Sequence, residues 1–357
     1  MGHHQTRAET FLEYLSVDMI KQFPSDPMHQ IYLGVVETLL EMMKELHDNP
    51  DVDFTIDYEG LKDTADSLSP WIPTEFTRRN VASTQNVAKW KATHSRFFPL
   101  YASINIMPHF MPKKYSRHFL KLTCAIRILC DPKLYRTHNE KADELLISFL
   151  EDFRKLYGSH RLVYNFHMLL HLAEEALEHG SLETFSAFPF ENHMNVLEGF
   201  IRKQQQRLQQ LYLNLTHKAR HIEREKTHRY PQFVKCKNQT RNLPQGCHGW
   251  FGKVVLLDYE LSTQLPNNIS ILGDGTIVQI DHFGWKEKEP VMIGKKFEIT
   301  EDVPLYPLPS RMFNICIVEA LSNAHEIWPI SSILYKAVIM VYESANHVVP
   351  LLHILDE

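Results

Sequence analysis

Apolar side chains recur in alternating steps of four and three residues between Met28 and Leu46. That spacing places them on one face of a helix and predicts a buried amphipathic helix. Asp26 suits the N-cap of this helix, and Pro27 suits its first position, where a missing N–H costs nothing. In the simplest interpretation, Asp26 is a cap and His29 is a polar residue of the first turn. The stripe consists of Met28, Tyr32, Val35, Leu39, Met42 and Leu46.

Helical spacing continues over residues 84–157, where three segments each place aromatic and aliphatic residues on one side. The last segment ends at Gly158, and glycine commonly terminates a helix. We therefore predict a mostly helical domain over residues 1–229. Its apolar anchors are Trp90, Phe97, Phe98, Leu100, Tyr101, Phe119, Leu122, Ile126, Leu129, Leu145, Phe149, Phe153 and Leu156.

After Tyr230 the apolar segments become shorter, and after Gly246 glycine becomes more frequent. Residues 230–248 are expected to form a linker. Six short apolar segments follow it, and Gly273-Asp274-Gly275 between two of them predicts a hairpin. We therefore expect residues 249–357 to form a small antiparallel β-barrel or sandwich. The whole chain is predicted to be an α+β multidomain protein.

The stretch from Tyr164 to Lys203 carries candidate site residues. His167 and His171 are four apart, so on one helix they share a face and could join a metal site. The rarity of true metal sites favours a simpler interpretation, in which both rings pack inward and hydrogen-bond. Glu191 directly follows a loop with three phenylalanines. It is either a metal ligand or a plain acid at a helix N-terminus, where the helix dipole favours it.

A basic segment follows at residues 202–229, with eight Lys or Arg and two Glu, a local charge of +6. Lys and Arg of such a helix would contact phosphates, so this segment is the candidate DNA surface. The alternative is an exposed helix lying across the core. The candidate DNA-binding residues are Arg202, Lys203, Arg207, Lys218, Arg220 and Arg224.

Composition adds limits to this interpretation. The chain has 357 residues, is 44% apolar and carries a formal net charge of −5, so DNA binding must rest on a local patch. Five scattered cysteines without a CxxC pair suit a reducing compartment. No run of about 18 apolar residues predicts a membrane span. We expect an intracellular protein with no membrane partner, and DNA binding would place it in the nucleus.

Several blocks of the chain resemble the C-terminal half of animal CACTA-type (EnSpm-like) DNA transposases. They read DPMHQIYLGVV, WKATHSRFFPLY, HFLKLTCAIRIL and NFHMLLHLAEEALEHGSLETFSAFPFENHMNVLEGFIRK. The tail, with DGTIVQID, IGKKFEI and WPISSILYKAVIMVY, is similar to the β-rich module that ends many transposon-derived proteins of insects and cnidarians. The resemblance implies that the helical region is the remnant of an RNase H-like core with a helical insertion.

The resemblance also implies a chemistry, two-metal phosphoryl transfer in which three carboxylates hold two Mg²⁺ ions. Asp26 and His29 match the family's Asp-x-x-His signature, and Glu191 in PFEN matches its final acid. His167 and His171 would line or support that region. The two upstream aspartates of the family have no counterpart here, and cooperating catalytic groups act as a unit. We therefore expect a truncated, domesticated transposase that is inactive alone and binds no cofactor tightly.

Two other functions remain open at this stage. One is a non-enzymatic interaction protein, whose β-module would add a partner's strand to an exposed edge. The other is a metal-dependent nuclease, or one subunit of a split transposase, that uses Mg²⁺ at Asp26, His29 and Glu191. The nuclease alternative requires that those three residues lie close together in space.

Overall fold

The fold is α+β, as predicted, with a helical half followed by an antiparallel β-module. It is seen in a computed structural model that describes residues 17–18, 21–73, 75–76, 84–222, 230–235, 244–257, 259–303, 305–342 and 345–352. Among the helices in those ranges, none is both long and apolar enough to cross a membrane.

The helical half is built from eleven α-helices in the described ranges, with two π-helical segments, Met28–Val36 and Phe98–Ala102. The predicted first helix is confirmed, because Met28–Val36 continues directly into the α-helix Glu37–Asp48, and the two bury the stripe from Met28 to Met42. The α-helices are α1 (Glu37–Asp48), α2 (Tyr58–Leu68), α3 (Ala92–Phe97), α4 (Ser103–Phe110), α5 (Lys113–Cys130), α6 (Leu134–Thr137), α7 (Asn139–Tyr157), α8 (Tyr164–Met168), α9 (Leu172–His179), α10 (Phe188–Gly199) and α11 (Arg207–Ile222).

The β-module has ten strands in the described ranges: β1 (Gln232–Lys235), β2 (Cys247–Val255), β3 (Glu260–Ser262), β4 (Ile269–Leu272), β5 (Ile277–Lys286), β6 (Glu289–Asp302), β7 (Cys316–Leu321), β8 (Glu326–Pro329), β9 (Ile333–Tyr342) and β10 (Ala345–Pro350). Six of them form a closed antiparallel barrel, paired in the order β5-β4-β9-β10-β7-β6 and back to β5. β6 is long enough to pair with β5 through its first half and with β7 through its second.

The predicted hairpin at Gly273-Asp274-Gly275 joins β4 to β5. Gly275 has a φ of +87°, which glycine adopts without steric cost. The carboxylate of Asp274 accepts a hydrogen bond from Thr276 N at 2.9 Å, and its hydrogen bonds with Thr276 lower the pKa of Asp274. β1 and the first residues of β2 fall inside the segment expected to be a linker.

The two halves share one apolar core, which runs from Met28 to Leu352 and includes side chains of both. Polar contacts cross between them as well. The Tyr335 hydroxyl of β9 donates to Asp131 at 2.7 Å, and the Leu352 N–H donates to the Tyr101 hydroxyl at 3.0 Å. Buried contacts of this kind fix the barrel against the π-helical segment Phe98–Ala102 and the C-terminal end of α5.

A buried cation completes this junction. Lys336 of β9 is 1% exposed, and its Nζ donates to Glu75 Oε1 at 2.5 Å, to Asn267 Oδ1 at 2.7 Å and to Glu260 O at 2.9 Å. Burial lowers the pKa of Lys336, and the nearby Glu75 opposes that shift. All three ammonium hydrogens therefore have acceptors, as a buried ammonium requires.

Replacing Lys336 with Met should cost about 3–5 kcal/mol of unfolding free energy, because the Glu75 carboxylate would stay buried without its cation. The double variant Glu75→Leu/Lys336→Met should recover much of that loss, since no charge is left in the junction. Urea unfolding of the full chain measures both. A single variant that loses less than about 1 kcal/mol would show that this pair is not the anchor of the junction.

His118 gives the fold a pH dependence. Its ring stacks on Phe149 with centroids 4.2 Å apart, its Nε2 donates to Phe149 O at 3.1 Å, and burial lowers its pKa to about 4. The hydrogen bond with Phe149 O and the charge of Asp152 oppose that lowering of the pKa, and Lys121 adds to it. An unfolded histidine titrates near pH 6.5, so between the two values the unfolded chain alone binds the proton.

The free energy of unfolding should therefore fall as the pH falls from about 6.5 to about 4, by at most about 3 kcal/mol from this group. His118→Gln should flatten the profile over that window. His138→Gln, at an exposed histidine, serves as the matched control and should leave the profile unchanged. Equal profiles for the wild type and His118→Gln would contradict this assignment.

Candidate functional site

Asp26 joins the start of the first helix to the loop before α10. Its Oδ1 accepts from Met28 N at 3.2 Å and Ala187 N at 2.7 Å, and its Oδ2 accepts from His29 N at 3.1 Å. The His29 ring Nδ1 also contacts Oδ2. Asp26 thus caps the helix, as expected. Its hydrogen bond with Ala187 N also joins two segments that are 161 residues apart in the sequence.

The structure brings Asp26, His29 and Glu191 into one corner. The second ring nitrogen of His29, Nε2, lies 3.8 Å from Glu191 Oε1, while Nδ1 contacts Asp26. A separation of 3.8 Å allows attraction between charges but is too long for a hydrogen bond. The His29 and Glu191 side chains are 57% and 55% exposed, and that of Asp26 is 27% exposed.

A buried network under this corner holds the loop in place. Arg96 Nη1 donates to Glu183 Oε2 at 3.2 Å, with the two side chains 1% and 8% exposed. The Arg96 guanidinium also lies 3.9 Å from the centroid of the Phe188 ring, a cation–π contact. Arg96 therefore contacts both ends of the segment that leads to Glu191.

Tyr32 and Cys130 complete the network around Glu183. The Tyr32 hydroxyl donates to Glu183 Oε1 at 3.5 Å, and the Cys130 thiol donates to the same oxygen at 3.7 Å. Burial raises the pKa of Tyr32 well above its usual value, and the neighbouring Cys130 and Glu183 raise it further. Burial and Glu183 likewise raise the pKa of Cys130. Both groups stay protonated, so Cys130 is an inert thiol here rather than a nucleophile.

His167 and His171 lie on either side of a break in the helix, because α8 ends at Met168 and α9 begins at Leu172. Their ring centroids are still 5.6 Å apart in an edge-to-face arrangement. Both residues are exposed, so the expectation that they pack inward is wrong. Within the described ranges, no group of three or more His, Cys, Asp or Glu is arranged to hold a metal ion.

We call residues 200–222 the basic arm; they comprise α11 and the turn before it. Gln210 organises that turn, because its Oε1 accepts from Arg202 N at 2.9 Å and Lys203 N at 3.2 Å. Its Nε2 donates to Lys203 O at 2.9 Å and Gln205 O at 2.7 Å. Asn214 Nδ2 donates to Phe200 O at 3.0 Å and ties α11 back to the end of α10.

Three predicted DNA-binding residues, Arg202, Lys203 and Arg207, are exposed on this arm. None of them forms an ion pair with another residue in the described ranges. Lys218 and Arg220 lie on α11, but their side chains are outside the described part of the structure. Arg224 lies outside the described residues altogether.

Sequence reasoning missed Arg96 and Glu183, the residues that hold the corner together. The available signal was a cation inside an apolar run, Ser-Arg-Phe-Phe-Pro-Leu, and an acid inside Ser-Leu-Glu-Thr-Phe. A charged side chain in a segment whose apolar pattern predicts burial needs a partner of opposite charge. The sequence contained both charges, but it did not indicate that they pair across 87 residues.

Comparison with known proteins is informative only for the β-module. A family model described as a domain of unknown function, DUF8592, matches residues 236–351. Searches of curated proteins and of solved structures gave no match. The family match contains the whole barrel and begins after the helical half, so it assigns no activity to the corner or to the basic arm.

The corner predicts different costs for its two acids. Asp26→Ala should lower the free energy of unfolding by about 1–2 kcal/mol, because it removes a helix cap and the tie to Ala187. Glu191→Ala should change it by less than about 0.5 kcal/mol, because that carboxylate is exposed. Thermal or urea unfolding compares them, with Asp26→Asn as the isosteric control. A larger loss for Glu191→Ala than for Asp26→Ala would contradict this assignment of roles.

Proposed function

We propose that this chain is a transposase-derived protein that binds DNA through the basic arm and does not carry out strand transfer by itself. The observation that carries the proposal is the charge of that arm. Residues 200–222 contain five Lys or Arg and no Asp or Glu, although the whole chain has a net charge of −5. A local cationic surface on an acidic protein is a feature of nucleic-acid binding.

The geometry of the arm supports this role. Arg202 and Lys203 precede α11 in a turn that Gln210 holds through four hydrogen bonds, and Arg207 opens the helix. The N-terminal end of a helix disfavours nearby cations, so a phosphate there would relieve their repulsion with the helix dipole. The side-chain amides of neighbouring glutamines add further donors for phosphate or base contacts.

The corner fits a scaffold role better than a Mg²⁺ site. The two oxygens of the Asp26 carboxylate already receive three backbone N–H groups and contact the His29 ring. A carboxylate offers about four lone-pair sites, so these contacts use its capacity as a ligand. Glu191 alone would then face a cation, whereas two-metal transfer needs several carboxylates. We therefore derive no catalytic step through Mg²⁺ at this corner.

DNA binding should be measured by fluorescence anisotropy of a labelled duplex over a range of salt concentrations. The wild type should show a linear fall of log K with log salt, because cations on the arm displace counterions from phosphates. The triple variant Arg202→Ala/Lys203→Ala/Arg207→Ala should reduce that slope by about 2.7, from three lost phosphate contacts.

A control triple variant, Lys62→Ala/Lys133→Ala/Lys288→Ala, removes the same charge from exposed lysines elsewhere on the molecule. Its salt slope should match that of the wild type. Two results would sink the proposal: a wild type without salt-dependent binding, or a control triple that loses as much slope as the arm triple. The second result would mean that only net charge matters.

A further inference from the structure

A groove lies between α2, the C-terminal end of α4 and the end of β9. Its volume is about 560 Å³. The α2 wall carries small or short side chains, which leave space beside the helix, and no Lys or Arg lines the groove in the described ranges. The lining residues are Gly60, Asp63, Thr64, Ser67, His109, Phe110, Val341 and Tyr342.

Hydrogen bonds and ring packing hold the walls of this groove in place. Asp57 caps α2, because its Oδ1 accepts from Gly60 N at 2.9 Å. The N–H of Asp57 donates to Phe110 O at 3.0 Å and so joins the start of α2 to the end of α4. On the other side, the His109 ring packs against the Tyr342 ring with centroids 4.7 Å apart. The groove is therefore built into the junction of the two halves.

One edge of β9 pairs with no strand of the described ranges beyond Ala337. β4 pairs with β9 only as far as Ala337, whereas β10 pairs with it as far as Tyr342. The N–H of Leu351 donates to Lys336 O, so Lys336 and every second residue after it direct their backbone groups towards β10. Val341 belongs to the other set, and its N–H and C=O therefore point to the open edge.

An open strand edge beside a groove is suited to an extended peptide. Such a peptide adds a strand to the sheet, with affinity from backbone hydrogen bonds and specificity from alternate side chains. Val341 is half-buried and lines the groove, so its N–H and C=O can pair with one residue of the added strand. α2 stands beside this edge and restricts it to a narrow segment of chain.

The charges of α2 and of the loop before it favour a basic peptide. Residues 48–68 contain seven Asp or Glu and one Lys, all of them exposed. None of the seven acids forms an ion pair with another residue in the described ranges. Asp63 lines the groove itself. This field repels an acidic peptide and attracts one with Lys or Arg, so charge complementarity selects the occupant.

We propose that this groove binds an extended basic segment of a partner protein, which adds a strand to β9 at Val341 and directs Lys or Arg towards the acids of α2. Successive side chains of a strand point to opposite faces, so cations at every second position would share the face next to Asp63. The groove is separate from the basic arm, and its test uses no nucleic acid.

Fluorescence anisotropy of short labelled peptides with the full chain tests the binding. The probe is a peptide of alternating Lys and Val, which should bind. A Glu-Val peptide of the same length should bind at least about tenfold more weakly, because its charges match those of α2. The fully N-methylated Lys-Val peptide keeps its charges but has no N–H to donate, and it should also bind at least about tenfold more weakly.

Two variants locate the binding site. Asp63→Lys should weaken binding of the Lys-Val peptide about fivefold or more, since it replaces an attraction with a repulsion. Glu151→Lys makes the same charge change at an exposed acid of α7 and should have little effect. Ser67→Trp fills the groove without a change of charge and should abolish most of the binding. Ser159→Trp, at an exposed serine elsewhere, is its control.

Hydrogen exchange with the Lys-Val peptide should show slower exchange in segments that cover residues 338–342 and 58–68. Circular dichroism shows whether each variant is folded, and the comparison of the three peptides needs only the wild type. Four results would each overturn the proposal: no binding of the Lys-Val peptide, equal binding of its N-methylated form, unchanged binding by a folded Ser67→Trp variant, or protection confined to other segments.

Discussion

The attraction between Lys336 and Glu75, both fully buried, is the constraint that unites the molecule. A cation at such depth is stable only if every one of its hydrogens finds an acceptor. Those acceptors come from Glu75 in the helical half, from β3 and from the loop between β3 and β4. Satisfying one ammonium group therefore fixes three distant pieces of chain together, and the shared apolar core closes around them.

A second buried pair, Arg96 with Glu183, has a similar effect on the surface corner. It holds the segment whose Ala187 N–H reaches Asp26, and that segment leads into α10 and then the basic arm. The body of the molecule and the arm thus differ in physical character. In the body, the buried cations Lys336 and Arg96 are paired and a continuous apolar core is buried. On the arm, Arg202, Lys203 and Arg207 are exposed, and so are several apolar side chains. We propose that the second kind of surface is the one that binds DNA.

The features predicted correctly from the sequence are those that depend on residues close together in the chain. The stripe from Met28 to Leu46 became a buried helix, and Gly273-Asp274-Gly275 became a hairpin, because helix spacing and turn chemistry act over a few residues. His167 and His171 do lie side by side, as their spacing predicted, but the helix breaks between them and their rings are exposed rather than packed inward. Asp26, His29 and Glu191 were proposed from motif resemblance and do lie together. Arg96–Glu183 and Lys336–Glu75 were missed, because they pair across 87 and 261 residues and no local signal encodes such partners.

Hydrogen exchange of the full chain with and without duplex DNA tests the central claim most directly, because it locates the binding surface without any substitution. The account predicts that added DNA slows exchange in peptides covering residues 200–222 and leaves the barrel strands and the Asp26 corner unchanged. Protection confined to the barrel or to the corner, with an unaffected arm, would contradict it.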